Sequence, residues 1–191
     1  MQLLEDMIVR HGKICEGDIL RVGSFFNQQM DISLITEMGK EFYRLFKDCH
    51  VSKILTIEAS GIAIACTTAQ SFNVPLVFAK KSNSANALGD AYTAEVRSYT
   101  RGSVFSVTLP KEYLSKDDNV LIIDDFLATG SAALGLVEIV RAAGASVAGI
   151  GIGIEKSYQE GAKILRDTGC RVEALARIAS MDIDKGFSFI H

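Results

Sequence analysis

Val120-Leu121-Ile122-Ile123-Asp124-Asp125-Phe126-Leu127-Ala128-Thr129-Gly130-Ser131-Ala132 is the stretch whose reading decides the fold. A run of branched apolar residues leads directly into two adjacent carboxylates and then into a small, hydroxyl-rich turn. The apolar run predicts a strand covered on both faces, as in the parallel sheet of an α/β protein. Such sheets bind ligands beyond the carboxyl ends of their strands, which is where the two aspartates fall. After the turn, Ala133, Leu134, Leu136, Val137, Ile139 and Val140 give a helix an apolar face. Free N–H groups at the start of that helix, with the Thr129 and Ser131 hydroxyls, suit a phosphate. The carboxylates suit sugar hydroxyls or a divalent cation. A phosphorylated sugar satisfies both ends. The plainer reading is a buried strand followed by a capped helix, since Asp, Thr and Ser all cap helices; capping, however, needs one such residue and not an ordered set.

At 191 residues and 48% hydrophobic content the chain can bury a full core, and residues 1–191 read as one domain. No apolar run approaches the ~20 residues that span a bilayer. The N-terminus mixes acidic with apolar residues instead of placing a basic segment before an apolar one, so a cytoplasmic protein with no membrane association is expected. Cys15, Cys49, Cys66 and Cys170 are scattered without a C-x-x-C pair, which points to reduced thiols and to neither a zinc site nor a disulfide framework. A formal net charge of -3 argues against a broad basic face for nucleic acid. Lys80 and Lys81 are an adjacent basic pair at a strand end, open to two readings: a diphosphate contact or a solvated pair.

Outward from the opening stretch the pattern alternates strand and helix. Leu3, Leu4, Met7 and Ile8 recur at helical spacing up to Gly12, an extended link runs through Ile19, Leu20 and Val22, and a helix is predicted over Ile32–Phe46. These helices precede the first core strand, Ile54–Ile57, and are placed to cap the sheet. The turn Glu58-Ala59-Ser60-Gly61 opens an apolar helix from Ile62 to Phe72 and makes a second potential anion seat; Leu76–Ala79 then reads as a parallel neighbour strand. Residues 82–90 are small and polar and read as a mobile loop. Tyr92–Tyr99 and Val104–Leu109 read as a hairpin around Thr100-Arg101-Gly102. Ala145–Ile154 is a strand, Tyr158–Asp167 a helix and Val172–Ile178 a last strand. Gly149, Gly151 and Gly153 lie inside a strand, whereas a dinucleotide fingerprint lies in the turn after one, so they are read as small residues for close packing.

The thirteen-residue stretch resembles the phosphoribosyl-diphosphate (PRPP) motif of type I phosphoribosyltransferases. Nearly the whole chain, including Leu20, Ser24-Phe25, Asn27, the segment Ile57–Ala63 and Ile154-Glu155-Lys156-Ser157, resembles the bacterial xanthine phosphoribosyltransferase family. That resemblance implies a mostly parallel central sheet with flanking helices, an antiparallel lid hairpin, and a helical hood over residues 1–50 that contributes to the base site. It implies that Asp124 and Asp125 are catalytic and hold the ribose hydroxyls. Ala128, Thr129, Gly130, Ser131 and Ala132 would bind PRPP, with Ser60 and Gly61 at its diphosphate. Leu20, Asn27 and Lys156 would contact xanthine. It further implies Mg2+ carried mainly by PRPP with no direct protein ligand, closure of the 82–90 loop and the hairpin over the substrates, and a homodimer.

Two residue types can be weighed chemically. A Lys156 ammonium donates to a 6-oxo group and rejects a 6-amino group, because donor would meet donor. Asn27 both donates and accepts, as a 2-oxo and ring N–H edge requires. The hypoxanthine-guanine branch carries an acidic residue where this chain has Ala128, so no loop carboxylate is available as a base. Xanthine, the more acidic purine, can react as an anion; adenine-specific relatives also have Ala-Thr-Gly here. Transfer to guanine or hypoxanthine remains an alternative, as does a PRPP-sensing transcription regulator of the same fold, though the N-terminal helices offer no basic recognition surface. A nicotinamide-dependent dehydrogenase fails on the missing glycine fingerprint.

Overall fold

The structure, a computed structural model, describes residues 1–82, 90–97 and 104–191. In chain order the elements are α1 (Gln2–His11), β1 (Lys13–Cys15), β2 (Ile19–Arg21), a π-helical turn (Gly23–Asn27), α2 (Ile32–Phe46), β3 (Lys53–Ile57), α3 (Gly61–Phe72), β4 (Leu76–Ser82), β5 (Ala91–Arg97), β6 (Val104–Pro110), β7 (Asn119–Leu127), α4 (Ser131–Ala142), β8 (Ser146–Lys156), α5 (Gly161–Asp167), β9 (Val172–Asp182) and β10 (Gly186–Phe189). Eight strands form one sheet in the order β10-β9-β8-β7-β3-β4-β6-β5. The inner pairings β9-β8, β8-β7, β7-β3 and β3-β4 are parallel; β10, β6 and β5 join antiparallel at the two sides.

The opening strand behaves as its composition requires. Val120, Leu121, Ile122 and Ile123 are all fully buried and alternate between two apolar clusters, one on each face of the sheet. Val120 and Ile122 join Leu136, Val137 and Val140 of α4. Leu121 and Ile123 join Phe26, Phe42 and Phe46 from the N-terminal segment. Such two-sided burial is what lets a continuous apolar run sit in a parallel sheet.

The β8 glycines make the second face possible. A Cβ at Gly149 would overlap the Phe46 ring, at Gly151 it would come within 2.8 Å of Phe42, and at Gly153 within 2.8 Å of Phe26. Three alternate glycines thus leave a flat track on which the aromatic side chains lie, and the packing reading of this segment holds.

Several boundaries differ from the sequence expectation. The link at 19–22 is instead a short hairpin, β1 against β2, turning through Gly17 (φ 77) and Asp18 (φ 62). The helix expected from Tyr158 starts only at Gly161, because Lys156–Glu160 is used as a turn. Strand β9 runs on to Asp182, and β10 follows through a turn in which the Asp182 carboxylate accepts from the Asp184 and Lys185 N–H groups, both at 2.9 Å. The hairpin is present as β5 and β6. Residues 98–103 and 83–89, on which the lid expectation falls, lie outside the described residues. Among the described residues no helix is long and apolar enough to cross a membrane.

Candidate active site

Strands β3 and β7 lie side by side and parallel, so both deliver their following turns to one edge of the sheet. Asp124 is only 5% exposed, whereas Asp125 is half-buried. The two carboxylates lie close enough to hydrogen-bond to and to repel one another. Asp124 accepts from the Asp125 backbone N–H at 3.0 Å and lines a cleft with Lys81, Phe126 and the whole turn from Ala128 to Ala132. Burial, and then the neighbouring Asp125 charge, push the Asp124 carboxyl well above the usual range; the Asp125 N–H and the Lys81 ammonium pull the other way.

The turn itself is built for something other than capping. Gly130 adopts φ 80, a left-handed geometry that favours glycine, and its carbonyl accepts the first helical bond, from Leu134 at 2.9 Å. No side chain caps α4. The Thr129 and Ser131 hydroxyls lie 3.1 Å from each other, and the leading N–H groups of the helix have no intrahelical partner. The capped-helix reading is therefore not the arrangement adopted. Ser60 likewise provides no side-chain cap for α3. A Cβ on Gly61 would overlap the Thr56 hydroxyl and stand 3.3 Å from Asp124 Oδ1, so the Ser60-Gly61 turn adjoins Asp124.

The two lysines separate. Lys81 lines the cleft with Asp124, and its backbone N–H donates to Glu58 Oε1 at 2.8 Å. Lys80 lines a different hollow with Leu76, Phe78 and Tyr113, its ammonium 5.9 Å from the Phe78 ring. Strand alternation alone accounts for the split.

Leu20 is buried in β2 and Asn27 closes the π-helical turn. Lys156 ends β8, but it is no solvent-facing side chain: it is 11% exposed, donates to the Asp18 backbone carbonyl, and lies 3.6 Å from the Asp18 carboxylate. The structure therefore brings Lys156 to the hairpin that carries Leu20.

Residues 158–161 also reach the 128–132 turn. The Gly161 N–H donates to the Ala128 carbonyl at 3.0 Å. Asp18, Gly161 and Phe126, the last set edge-on to Phe26 with centroids 5.9 Å apart, were not singled out by residue type. Their place comes from long-range contacts, for which a lone Asp, Gly or Phe gives no local signal.

Residues 27–177 match the phosphoribosyl transferase domain. The chain is 53% identical over 182 residues to a xanthine phosphoribosyltransferase of Ruminiclostridium cellulolyticum, covering 95% of this chain and 96% of that protein. It is 52% identical over 186 residues to one of Lachnoclostridium phytofermentans, covering 97% and 96%. In architecture it is similar to adenine phosphoribosyl transferase of Trypanosoma brucei (TM-score 0.76, 19% identity, 91% of this chain and 79% of that one). The corresponding enzyme of Thermoanaerobacter pseudethanolicus gives a TM-score of 0.71 at 21% identity over 91% and 99%. The solved structures establish the type I fold, the sequence relatives narrow it, and the chain belongs to the xanthine phosphoribosyltransferase family.

Proposed function

We propose that the chain transfers the 5-phosphoribosyl group of PRPP to N9 of xanthine, releasing diphosphate and giving xanthosine 5-monophosphate. The observation that carries this reading is the shared sheet edge. There the uncapped 128–132 turn adjoins the buried Asp124 and the Ser60-Gly61 turn, and Lys156 at the end of β8 is bonded to Asp18 of the hairpin that carries Leu20.

The residues divide the work. Backbone N–H groups of the 128–132 turn and the Thr129 and Ser131 hydroxyls hold the 5-phosphate. Asp124 and Asp125 accept from the ribose hydroxyls and favour the positive charge that develops on the sugar as the bond from C1 to diphosphate breaks. The Ser60-Gly61 turn and Lys81 receive the leaving diphosphate. Lys156 donates to the 6-oxo group and Asn27 addresses the opposite edge. Xanthine enters as an anion, so N9 bonds to C1 with no protein base needed where Ala128 stands. Catalysis is then positioning and electrostatics, not covalent chemistry.

The donor set also fits Mg2+. Two adjacent carboxylates offer hard oxygen ligands, and a small hard cation that keeps several waters and substrate oxygens needs no protein cage; among the described residues no group of three or more His, Cys, Asp or Glu side chains gathers for a metal. PRPP would carry the ion with no direct protein ligand, Asp124 and Asp125 adding negative charge at the same edge, and when bound it would offset charge on the diphosphate.

Diphosphate release with PRPP and Mg2+, measured in parallel against xanthine, guanine, hypoxanthine and adenine, tests the assignment: xanthine is expected to give the highest kcat/KM, and preference for another base overturns it. Lys156→Ala should raise the KM for xanthine by about tenfold or more, the cost of losing a charged hydrogen bond, with little change for PRPP. An equal rise for both substrates would remove Lys156 from the base site. Lys81→Ala should lower kcat/KM for PRPP by about tenfold on the same grounds, while Lys80→Ala leaves it unchanged. Steady-state kinetics on the two variants distinguishes a cleft lysine from a surface one.

A further inference from the structure

Asp18 occupies the tip of the β1–β2 turn in a left-handed conformation, φ 62, which Asp adopts more readily than most residues. All three of its acceptor atoms are engaged by one short segment far away in sequence. Its backbone carbonyl receives Lys156 Nζ, its Oδ1 receives the Tyr158 hydroxyl at 2.8 Å, and its Oδ2 receives Gln159 Nε2 at 2.8 Å, with the Lys156 ammonium 3.6 Å away. Asp18, Tyr158 and Gln159 also line one hollow with Thr129 of the phosphate turn.

We propose that Asp18 is a positioning residue for base recognition: it latches the N-terminal hairpin onto the 156–159 turn and so fixes the Lys156 ammonium relative to Leu20, two residues further along β2. The inference rests on the reading above, in which Lys156 contacts the base.

A half-exposed ion pair contributes little to stability by itself, so a convergence of three donors on one carboxylate and its carbonyl is better understood by its geometric effect. A lysine stem has many rotamers, and the ammonium has three donors; the latch engages one on the Asp18 carbonyl and holds the charge beside the Asp18 carboxylate, 3.6 Å away, which leaves a donor for the purine oxygen. The Tyr158 hydroxyl is held in its donating form, because burial, followed by the hydrogen bond and charge of Asp18, raises its pKa. The latch also explains why β8 is followed by a turn and not directly by α5: Lys156, Tyr158 and Gln159 must all present their side chains toward the hairpin tip.

Two substitutions keep the left-handed turn. Asp18→Asn removes the charge and sets an amide against the donors of Gln159 and Lys156, while Asp18→Gly removes every side-chain contact. Each is expected to raise the KM for the base by about tenfold, with the KM for PRPP changed by less than about twofold. In the Lys156→Ala background the same Asp18 substitutions should change the base KM by less than about twofold, because the two residues act as one unit. Unchanged base KM in both variants, an equal rise for both substrates, or full additivity with Lys156→Ala overturns the latch. Melting curves show which variants are folded, and Asp18→Asn carries the test if Asp18→Gly is not. Wild-type protein assayed with the four bases tests the underlying reading separately: if it prefers guanine, xanthine specificity falls and the latch is judged on guanine. If it transfers nothing, calorimetric titration of the same variants with xanthosine monophosphate reads the latch without turnover.

Discussion

The double variant Asp124→Asn with Asp125→Asn is expected to lose turnover by about a thousandfold while keeping its fold, since removing even one preorganised group that faces a developing charge costs about 10²–10³ in kcat. Both residues are changed because the two carboxylates adjoin and interact, and in the proposed mechanism each adds negative charge beside the ribose. Near-normal turnover would end the role assigned to them. The single variant Asp124→Asn carries a second expectation of opposite sign for stability. In the folded protein Asp124 binds its proton more tightly than in the unfolded chain, owing to burial and to the Asp125 charge. A group with a raised folded-state pKa contributes stability that is full below its unfolded value, about 4, and that is lost as pH rises through the folded value. At neutral pH the wild type therefore carries a penalty that an uncharged amide of the same shape avoids. Asp124→Asn should melt a few degrees higher than the wild type, with the gap growing as pH rises from about 4. Melting of the unliganded proteins across that range checks it; a gap that shrinks with rising pH would contradict the charge argument. A site that costs stability where it performs chemistry is a common outcome of selection for function.

The sequence reached this pair of aspartates because their signal is local. An apolar strand, two acids and a small turn follow each other within thirteen residues, and each obeys a rule of periodicity or backbone geometry that needs no knowledge of the rest of the fold. The five parallel strands and the helices α2, α3 and α4 were legible for the same reason. The hairpin β1–β2 was not, since strands of three residues carry too little alternation to register against a flexible link. Strand β10 was missed although Asp182-Ile183-Asp184-Lys185-Gly186 is a turn sequence and Phe187 and Phe189 alternate; with Met181 they pack beneath the N-terminal segment, a contact visible only once the chain ends are brought together. The choice between Lys80 and Lys81 needed one further fact, the face of β4 that meets Asp124, which composition does not carry. Asp18 had no signal at all, because its meaning lies in partners about 140 positions away.

Gly161 shows most clearly how tertiary contact overrides local preference. It begins α5, and it is not among the residues with positive φ, so by helix propensity alone alanine should be better there by about 1 kcal/mol. The surroundings reverse that expectation. A Cβ on Gly161 would overlap the Ala128 carbonyl oxygen, stand 2.7 Å from the Gly130 nitrogen and 2.8 Å from the Thr129 carbonyl carbon, and all three are backbone atoms of the phosphate turn with no rotamer to yield. The turn itself must shift, and the N–H bond from Gly161 to Ala128 shifts with it. Gly161→Ala is therefore expected to lower kcat/KM for PRPP by about a hundredfold, the effect of misplacing a binding group by roughly 1 Å, while the helix it starts becomes no weaker. Kinetics with PRPP varied at saturating base, together with a melting curve, separate the two consequences. Lost PRPP efficiency at an unchanged melting temperature places the damage in the phosphate turn. An unchanged KM and kcat for PRPP would mean that the turn accommodates a methyl group, and that residues 158–161 touch the 128–132 turn without shaping it.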